Sequence, residues 1–238
     1  MFQLEDSLWW YVGMRRITFE LLRRHLGDAQ GSLRVLDAGC GTGGSLALLE
    51  RFGQVTAFDL YPRAAALCLT RRHGRILVAS IDAIPLADAS FDLVTAFDVI
   101  YQLPEPAEET ALREMRRVLK PGGSVLLREP AYQALYGPHD VTVGGRRRYT
   151  AGEMAAKMEK AGLQPVWTSY ANTLLFPVAA ARRLLAKLRR DGAPESDVRP
   201  VAAPLNRALA AVLGFEAELL KHTRLPFGLS VIALARKP

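Results

Sequence analysis

A doubly wound α/β fold is the expectation for this chain, and three observations carry it. Short apolar runs alternate with segments of helical period along most of the sequence. The runs are continuous rather than alternating, as in strands covered on both faces. One of them, ending at Asp37, passes straight into a glycine cluster that opens the next helix.

In chain order, an amphipathic helix is expected from Met14 to Leu26, with Ile17, Leu21 and Leu22 on one side, arginines elsewhere, and Gly27 as its stop. Strands follow at Leu33–Asp37, Val55–Asp59, Ile76–Ala79, Phe91–Phe97 and Ser124–Arg128, with helices between them at Gly43–Phe52, Arg63–Arg72 and Ala107–Leu119. That alternation calls for parallel strands joined by right-handed crossovers. Pro62 suits a helix start, and Lys120-Pro121-Gly122-Gly123 ends one helix and turns into a strand. Thr150 and Glu153 have capping-box spacing ahead of a helix over Ala151–Ala161 that stops at Gly162. Strands at Val166–Tyr170 and Leu229–Ala235 enclose two helical stretches, Val178–Arg190 and Ala203–His222, around a linker at Asp191–Pro200.

The chain has 238 residues, 50% hydrophobic and 23% charged, which excludes disordered, collagen-like and coiled-coil classes and suits one α/β domain with insertions. Its net charge of +7 permits anionic partners without identifying one. Arg182 and Arg183 cut the most hydrophobic stretch, so no segment is expected to cross a bilayer, and residues 1–6 lack the basic start of a secretory signal. Two cysteines, Cys40 and Cys68, without metal-ligand company suggest a reducing compartment, so a cytoplasmic location and no bound metal are expected.

The most informative stretch is Val35-Leu36-Asp37-Ala38-Gly39-Cys40-Gly41-Thr42-Gly43-Gly44. Glycine lets the backbone approach a ligand without a Cβ in the way, and the following helix offers free N–H groups. Gly39, Gly41 and Gly44 satisfy the spacing of a dinucleotide fingerprint, so spacing alone does not choose between nicotinamide dinucleotides and other nucleosides. Asp37, two residues before the first glycine, would repel a phosphate there and welcome an ammonium. S-adenosylmethionine supplies an ammonium and a sulfonium and no phosphate. Asp59, at the end of the next strand, can accept from two ribose hydroxyls, which suits either cofactor.

With Asp82 in Ser80-Ile81-Asp82-Ala83-Ile84-Pro85, the strand Ser90-Phe91-Asp92-Leu93-Val94 and the turn Leu119-Lys120-Pro121-Gly122-Gly123, these residues resemble the class I S-adenosylmethionine-dependent methyltransferases, in particular the small-molecule group called type 11. The resemblance covers Leu33 to Arg128. It implies a Rossmann-like, mainly parallel seven-stranded sheet whose last strand is antiparallel, with S-adenosylhomocysteine as the product of the cofactor. It also implies roles for particular residues. Asp37, with the backbone of Gly39, Cys40, Gly41 and Thr42, would receive the methionine end. Asp59 and its neighbour Leu60 would hold the ribose, and Asp82 with Ala83 the adenine. Phe97 and Asp98 would line the cofactor, and an N-terminal aromatic segment with an arginine, Trp10 with Arg15 or Arg16, would fold over it. Each acid taken alone could instead cap a turn or sit in an ordinary loop. Trp9 and Trp10 could equally staple the first helix to the sheet.

For the methyl acceptor, three residues are candidates for catalysis or substrate orientation: His139, in an insert after the fifth strand, Tyr149 in the same insert, and Tyr101 just past the fourth strand. Arg146–Arg148 could meet an acidic substrate group or form a solvated turn. The C-terminal helices, with Leu174, Leu175, Phe176, Leu184, Leu185 and Leu188 among basic residues, could cover a greasy substrate, a second subunit or a membrane face, and packing on the sheet is the simpler explanation. The expected map is one methyltransferase domain over 1–238: an N-terminal lid and helix over 1–30, a cofactor core over 31–130, a substrate loop over 130–150 and a helical insertion over 174–224. The expected reaction is methyl transfer to oxygen of a small-molecule or peptide acceptor, as in natural-product pathways, in a chain that could form a homodimer. A nucleic-acid methyltransferase ranks below it, because Phe97-Asp98-Val99-Ile100 replaces the Asn/Asp-Pro-Pro-aromatic motif that holds a base. A NAD-dependent oxidoreductase and a binding module without turnover complete the alternatives.

Overall fold

The computed structural model describes residues 2–27, 31–188 and 200–238. A seven-stranded sheet runs through it in the order β3-β2-β1-β4-β5-β7-β6. The strands are β1 (Leu33–Ala38), β2 (Gly53–Asp59), β3 (Arg75–Val78), β4 (Phe91–Phe97), β5 (Leu119–Pro130), β6 (Gln164–Ala171) and β7 (Ser230–Arg236). Only β7 runs antiparallel to its neighbours, β5 and β6; the other pairings, β1 to β2 and β4, β2 to β3, and β4 to β5, are parallel. The doubly wound, mainly parallel sheet expected from the continuous apolar runs is present.

Helices cover both faces, and period-two alternation sorts the strand residues between two cores. On one face Leu36, Ala38 and Leu127 pack with α4 (Ala107–Val118) and α6 (Ala151–Lys160). On the other, Val35, Val55 and Leu126 pack with α1 (Trp9–Leu26), the short α2 (Leu46–Leu49), Cys68 of α3 (Pro62–Thr70) and α8 (Ala203–Leu220). The Thr150 capping box forms as the spacing predicts: the Glu153 N–H donates to Thr150 Oγ1 at 3.2 Å, and the Thr150 N–H donates to Glu153 at 2.6 Å.

Three local differences from the sequence expectations matter. The first helix begins at Trp9 rather than Met14, because its first N–H groups find a partner elsewhere: Trp9 N donates to Asn206 Oδ1 of α8 at 2.8 Å. The expected helix over Gly43–Phe52 shrinks to Leu46–Leu49, its ends tightened by bonds three residues apart such as Phe52 N to Leu49 O. The Lys120–Gly123 turn lies inside β5, where the pairing jumps from Phe91 with Leu119 to Leu93 with Ser124 and Gly122 takes φ +77°.

The C-terminal insertion comprises α7 (Phe176–Leu188) and α8; Arg190 and nearly all of the expected linker Asp191–Pro200 lie outside the described residues. Rather than lying only on the sheet, α8 packs along α1. A Cβ at Gly13 would lie 2.4 Å from the Leu213 side chain, so glycine is what permits this approach. Among the described residues no helix is long and apolar enough to cross a membrane.

Candidate active site

The carboxyl ends of the parallel strands open into a cavity of about 1050 Å³, where doubly wound sheets bind ligands. One half surrounds the glycine turn between β1 and α2; the far half lies over the ends of β5 and β7 and under α7.

In the glycine-turn half the chain is shaped by backbone conformation. Gly39, Gly41 and Gly43 take φ of +82°, +55° and +85°. A Cβ at Gly39 would lie 2.5 Å from Val99, whereas none of the described atoms lies within 4 Å of a Cβ at Gly41, which leaves an open cradle. Asp59 closes the turn from the next strand: its Oδ2 accepts from Gly41 N at 2.8 Å and its Oδ1 from Tyr61 N at 2.9 Å. It therefore both caps local backbone and lines the cavity. Asp37 is buried at the end of β1 and accepts from Thr95 Oγ1 at 2.7 Å. Burial pushes its carboxyl up to about 6, against the opposing pull of that hydrogen bond and of the Arg128 charge.

The expected cofactor residues Gly39, Cys40, Gly41, Thr42, Leu60, Phe97 and Asp98 line this cavity with Asp37 and Asp59, as do Trp10 and Arg15. Arg15, not the exposed Arg16, is the inward arginine; Arg16 pairs with Glu218 on the surface. The aromatic cluster sits on the first turn of α1, so the aromatic segment and the helix are one element, and Trp9, Trp10 and Tyr11 all line the cavity. Asp82 and Ala83 follow Ser80 and Ile81, which form the cavity wall; the loop folds back on itself through a Ser80–Ala83 bridge, and the Asp82 carboxylate accepts from Ser80 Oγ.

Sequence reasoning missed the fastening of the N-terminal segment. Glu5, buried, accepts from Thr42 Oγ1 at 2.7 Å and from Arg71 at 3.0 Å, while Arg71 Nε donates to the Thr42 carbonyl at 2.7 Å. A Cβ at Gly44 would lie 2.8 Å from that Glu5 carboxylate, so the last glycine of the cluster makes room for the N-terminal segment. Cys40 and Cys68, remote in sequence, meet with sulfurs 3.8 Å apart.

In the far half, His139 and Tyr101 line the cavity and Tyr149 does not. Tyr149 is fully buried in the core between β5 and α6, with Arg147 over its ring at 4.8 Å, so its catalytic candidacy is withdrawn on position. Tyr101 is buried beside Gly145, and its hydroxyl is held well above the usual phenol range by burial. His139 stands on α5 (Pro138–Thr142), a short helix absent from the sequence expectations and tied by Asp140, which accepts from Gly137 N at 2.8 Å. The Arg146–Arg148 run divides three ways. Arg148 is buried in a two-pronged pair with Asp140 at 3.0 Å on each prong, Arg147 pairs with Glu105 at 2.7 Å, and Arg146 reaches the Gln102 carbonyl at the rim. Glu129 was also missed. Fully buried, with its carboxyl pushed well up by desolvation, it accepts from the N–H groups of Val99, Ile100 and Tyr101 and fixes the loop after β4.

A phosphate-free cationic nucleoside fits the glycine-turn half. Two carboxylates face it, the Gly41 cradle admits close backbone approach, and Trp10 offers an aromatic cover.

The family model described as a methyltransferase domain matches residues 36–127. The malonyl-acyl-carrier-protein O-methyltransferase of Pseudescherichia vulneris is 31% identical over 176 residues, 69% of this chain and 69% of that one. The enzyme of the same name from Erwinia pyrifoliae is 42% identical over 106 residues, which are 40% of this chain and only 36% of its own length. Among solved structures, the cyclase SpnF superposes with a TM-score of 0.62 at 24% identity over 94% of this chain and 80% of that one. Geranyl diphosphate C-methyltransferase from Streptomyces coelicolor A3(2), solved with S-adenosyl-L-homocysteine, gives 0.61 at 18% identity over 93% and 78%. At such identities the structures establish the fold alone. With the match over 69% of each chain, the chain belongs to the class I S-adenosylmethionine-dependent methyltransferases of small-molecule type, and S-adenosylmethionine is its cofactor.

Proposed function

We propose that this protein methylates an oxygen, carboxylate or hydroxyl, of a small-molecule or acyl-thioester acceptor. The observation that carries the reading is that one cavity joins Asp37, Gly41 and Asp59 to His139 and Tyr101, so donor and acceptor share one room. Acceptor oxygen is favoured because the two malonyl-thioester relatives are named O-methyltransferases.

When bound, the cofactor would supply an activated methyl group on a sulfonium, with the sulfur as the leaving group for an acceptor lone pair. The chain's own residues orient and enclose. Asp37 faces the ammonium, the Asp59 carboxylate accepts from the ribose hydroxyls, and Arg15 meets the carboxylate of the methionine end. Trp9 and Trp10 exclude water from above. The Tyr101 hydroxyl, kept protonated by burial, donates a hydrogen bond, and His139 orients the acceptor or takes the proton of a hydroxyl. A carboxylate acceptor needs no base.

Calorimetry with S-adenosylmethionine, S-adenosylhomocysteine and NAD tests the first part. The first two should bind, and Asp59→Ala should weaken them at least about tenfold. Preference for NAD would overturn the assignment. The acceptor atom is read with methyl-labelled cofactor and the malonyl thioester of N-acetylcysteamine: alkali should release the label as methanol. A label fixed on carbon or nitrogen would overturn the oxygen reading.

A further inference from the structure

Arg128 stands near the end of β5 opposite Phe97 and lines the cavity where its two halves meet. Its side chain is only 9% exposed. The guanidinium lies over two rings, 5.1 Å from the Trp10 centroid and 4.9 Å from that of Phe97. Nε and Nη2 both donate to one oxygen of Asp98, at 3.1 and 2.5 Å. Among the described residues, Nη1 has no hydrogen-bond partner. Arg128 lines the cavity and Nη1 is not sealed from it, so its N–H groups are open to an acceptor there.

In the far half Arg146 stands at the cavity rim and reaches the Gln102 carbonyl, and the aspartates there are Asp98 and Asp140. Each of those aspartates is already paired with an arginine.

We infer that Arg128 is the acceptor-recognition residue and that the acceptor is an organic acid, a carboxylate of which accepts from the Nη1 edge of this guanidinium. The inference rests on the small-molecule reading above and adds the acceptor's chemical class. A planar, permanently charged fork favours a carboxylate over its neutral ester. Methylation of that carboxylate removes the charge that held it, so the product is bound less tightly than the substrate.

The test uses the full chain saturated with S-adenosylhomocysteine, titrated calorimetrically with the malonyl thioester of N-acetylcysteamine and, separately, with its methyl ester. The acid should bind at least about tenfold tighter than the ester. Arg128→Gln should bring the acid down to the ester's affinity while leaving S-adenosylhomocysteine affinity within about twofold, and Arg128→Lys should restore part of the preference. Asp98→Asn, which leaves the guanidinium less neutralised, should strengthen acid binding and serves if Arg128→Gln does not fold. Equal affinity for acid and ester, failure of both to bind at millimolar concentration, or a weaker acid preference in Asp98→Asn would overturn the inference. So would loss of S-adenosylhomocysteine in Arg128→Gln, which would assign the guanidinium to the cofactor's own carboxylate. If the acid binds through Arg128 and no ester forms, the oxygen-transfer reading fails while the anion site stands; if the wild type does not take S-adenosylhomocysteine, it is the cofactor assignment that fails.

Discussion

Around the glycine turn the cavity is held by backbone, with three left-handed glycines and an aspartate capping two N–H groups. The far half is held by charged side chains: Arg128 with Asp98 joins β5 to the loop after β4, and Arg148 with Asp140, eight residues apart, ties together the insert carrying α5. The first arrangement rests mainly on the conformation of consecutive glycines, with Asp59 reaching in from the end of the neighbouring strand. The second exists only when several elements have docked, so it can be re-cut for a new acceptor without touching the first.

The sharpest way to break that contrast is Arg148→Ala. It leaves the buried Asp140 carboxylate unpaired, and urea unfolding should show a loss of about 3–5 kcal/mol. S-adenosylhomocysteine binding below the transition should persist, because no glycine-turn contact is removed; simultaneous loss would mean the halves are one unit. His139→Ala should lower turnover by about a hundredfold on a hydroxyl acceptor and much less on a carboxylate, with S-adenosylhomocysteine affinity unchanged. Equal turnover in wild type and variant on every acceptor would remove His139 from the site.

A smaller effect separates the halves by pH. The Asp37 carboxyl, raised to about 6 by burial, binds more protons folded than unfolded between its ordinary value of 3.8 and about 6. Its contribution to stability is therefore fully present below the lower value and lost as pH rises through the upper one. Cofactor binding runs the other way, since the ammonium wants the carboxylate. Affinity for S-adenosylhomocysteine should fall by up to about tenfold per pH unit below pH 6, and Asp37→Asn should abolish that slope. A flat profile in the wild type would separate Asp37 from the ammonium. Least of all, Thr150→Ala should cost about 1 kcal/mol through the lost cap of α6, read as a small shift in the urea midpoint.

The same division explains what could be read from the residues in order. Continuous apolar runs at Val35, Val55, Phe91 and Val125 identify the sheet, and Asp37, Gly41 and Asp59 identify the turn, because strand period and positive φ leave local marks. Arg128 and Glu129 carry no such mark: an arginine and a glutamate at a strand end look like solvated residues until Trp10, Phe97 and the Val99–Tyr101 backbone close around them. Asp82 is marked by its place in the loop, but its bond to Ser80 and the Ser80–Ala83 bridge are details the residue order does not carry. Tyr149 shows the same limit, since a tyrosine beside three arginines gives no hint that the chain there dips into the core.

The placement of β7 bears on how the two halves come into being. The strand made last of the seven slots between two made earlier, and β6 has no other neighbour in the sheet. On the ribosome, β1 to β5 can zip together while the remainder is still being synthesised, but β6 must wait for residues 230–236 before it has anything to pair with. A nascent chain should thus own a nucleoside pocket well before it owns a finished floor beneath the acceptor.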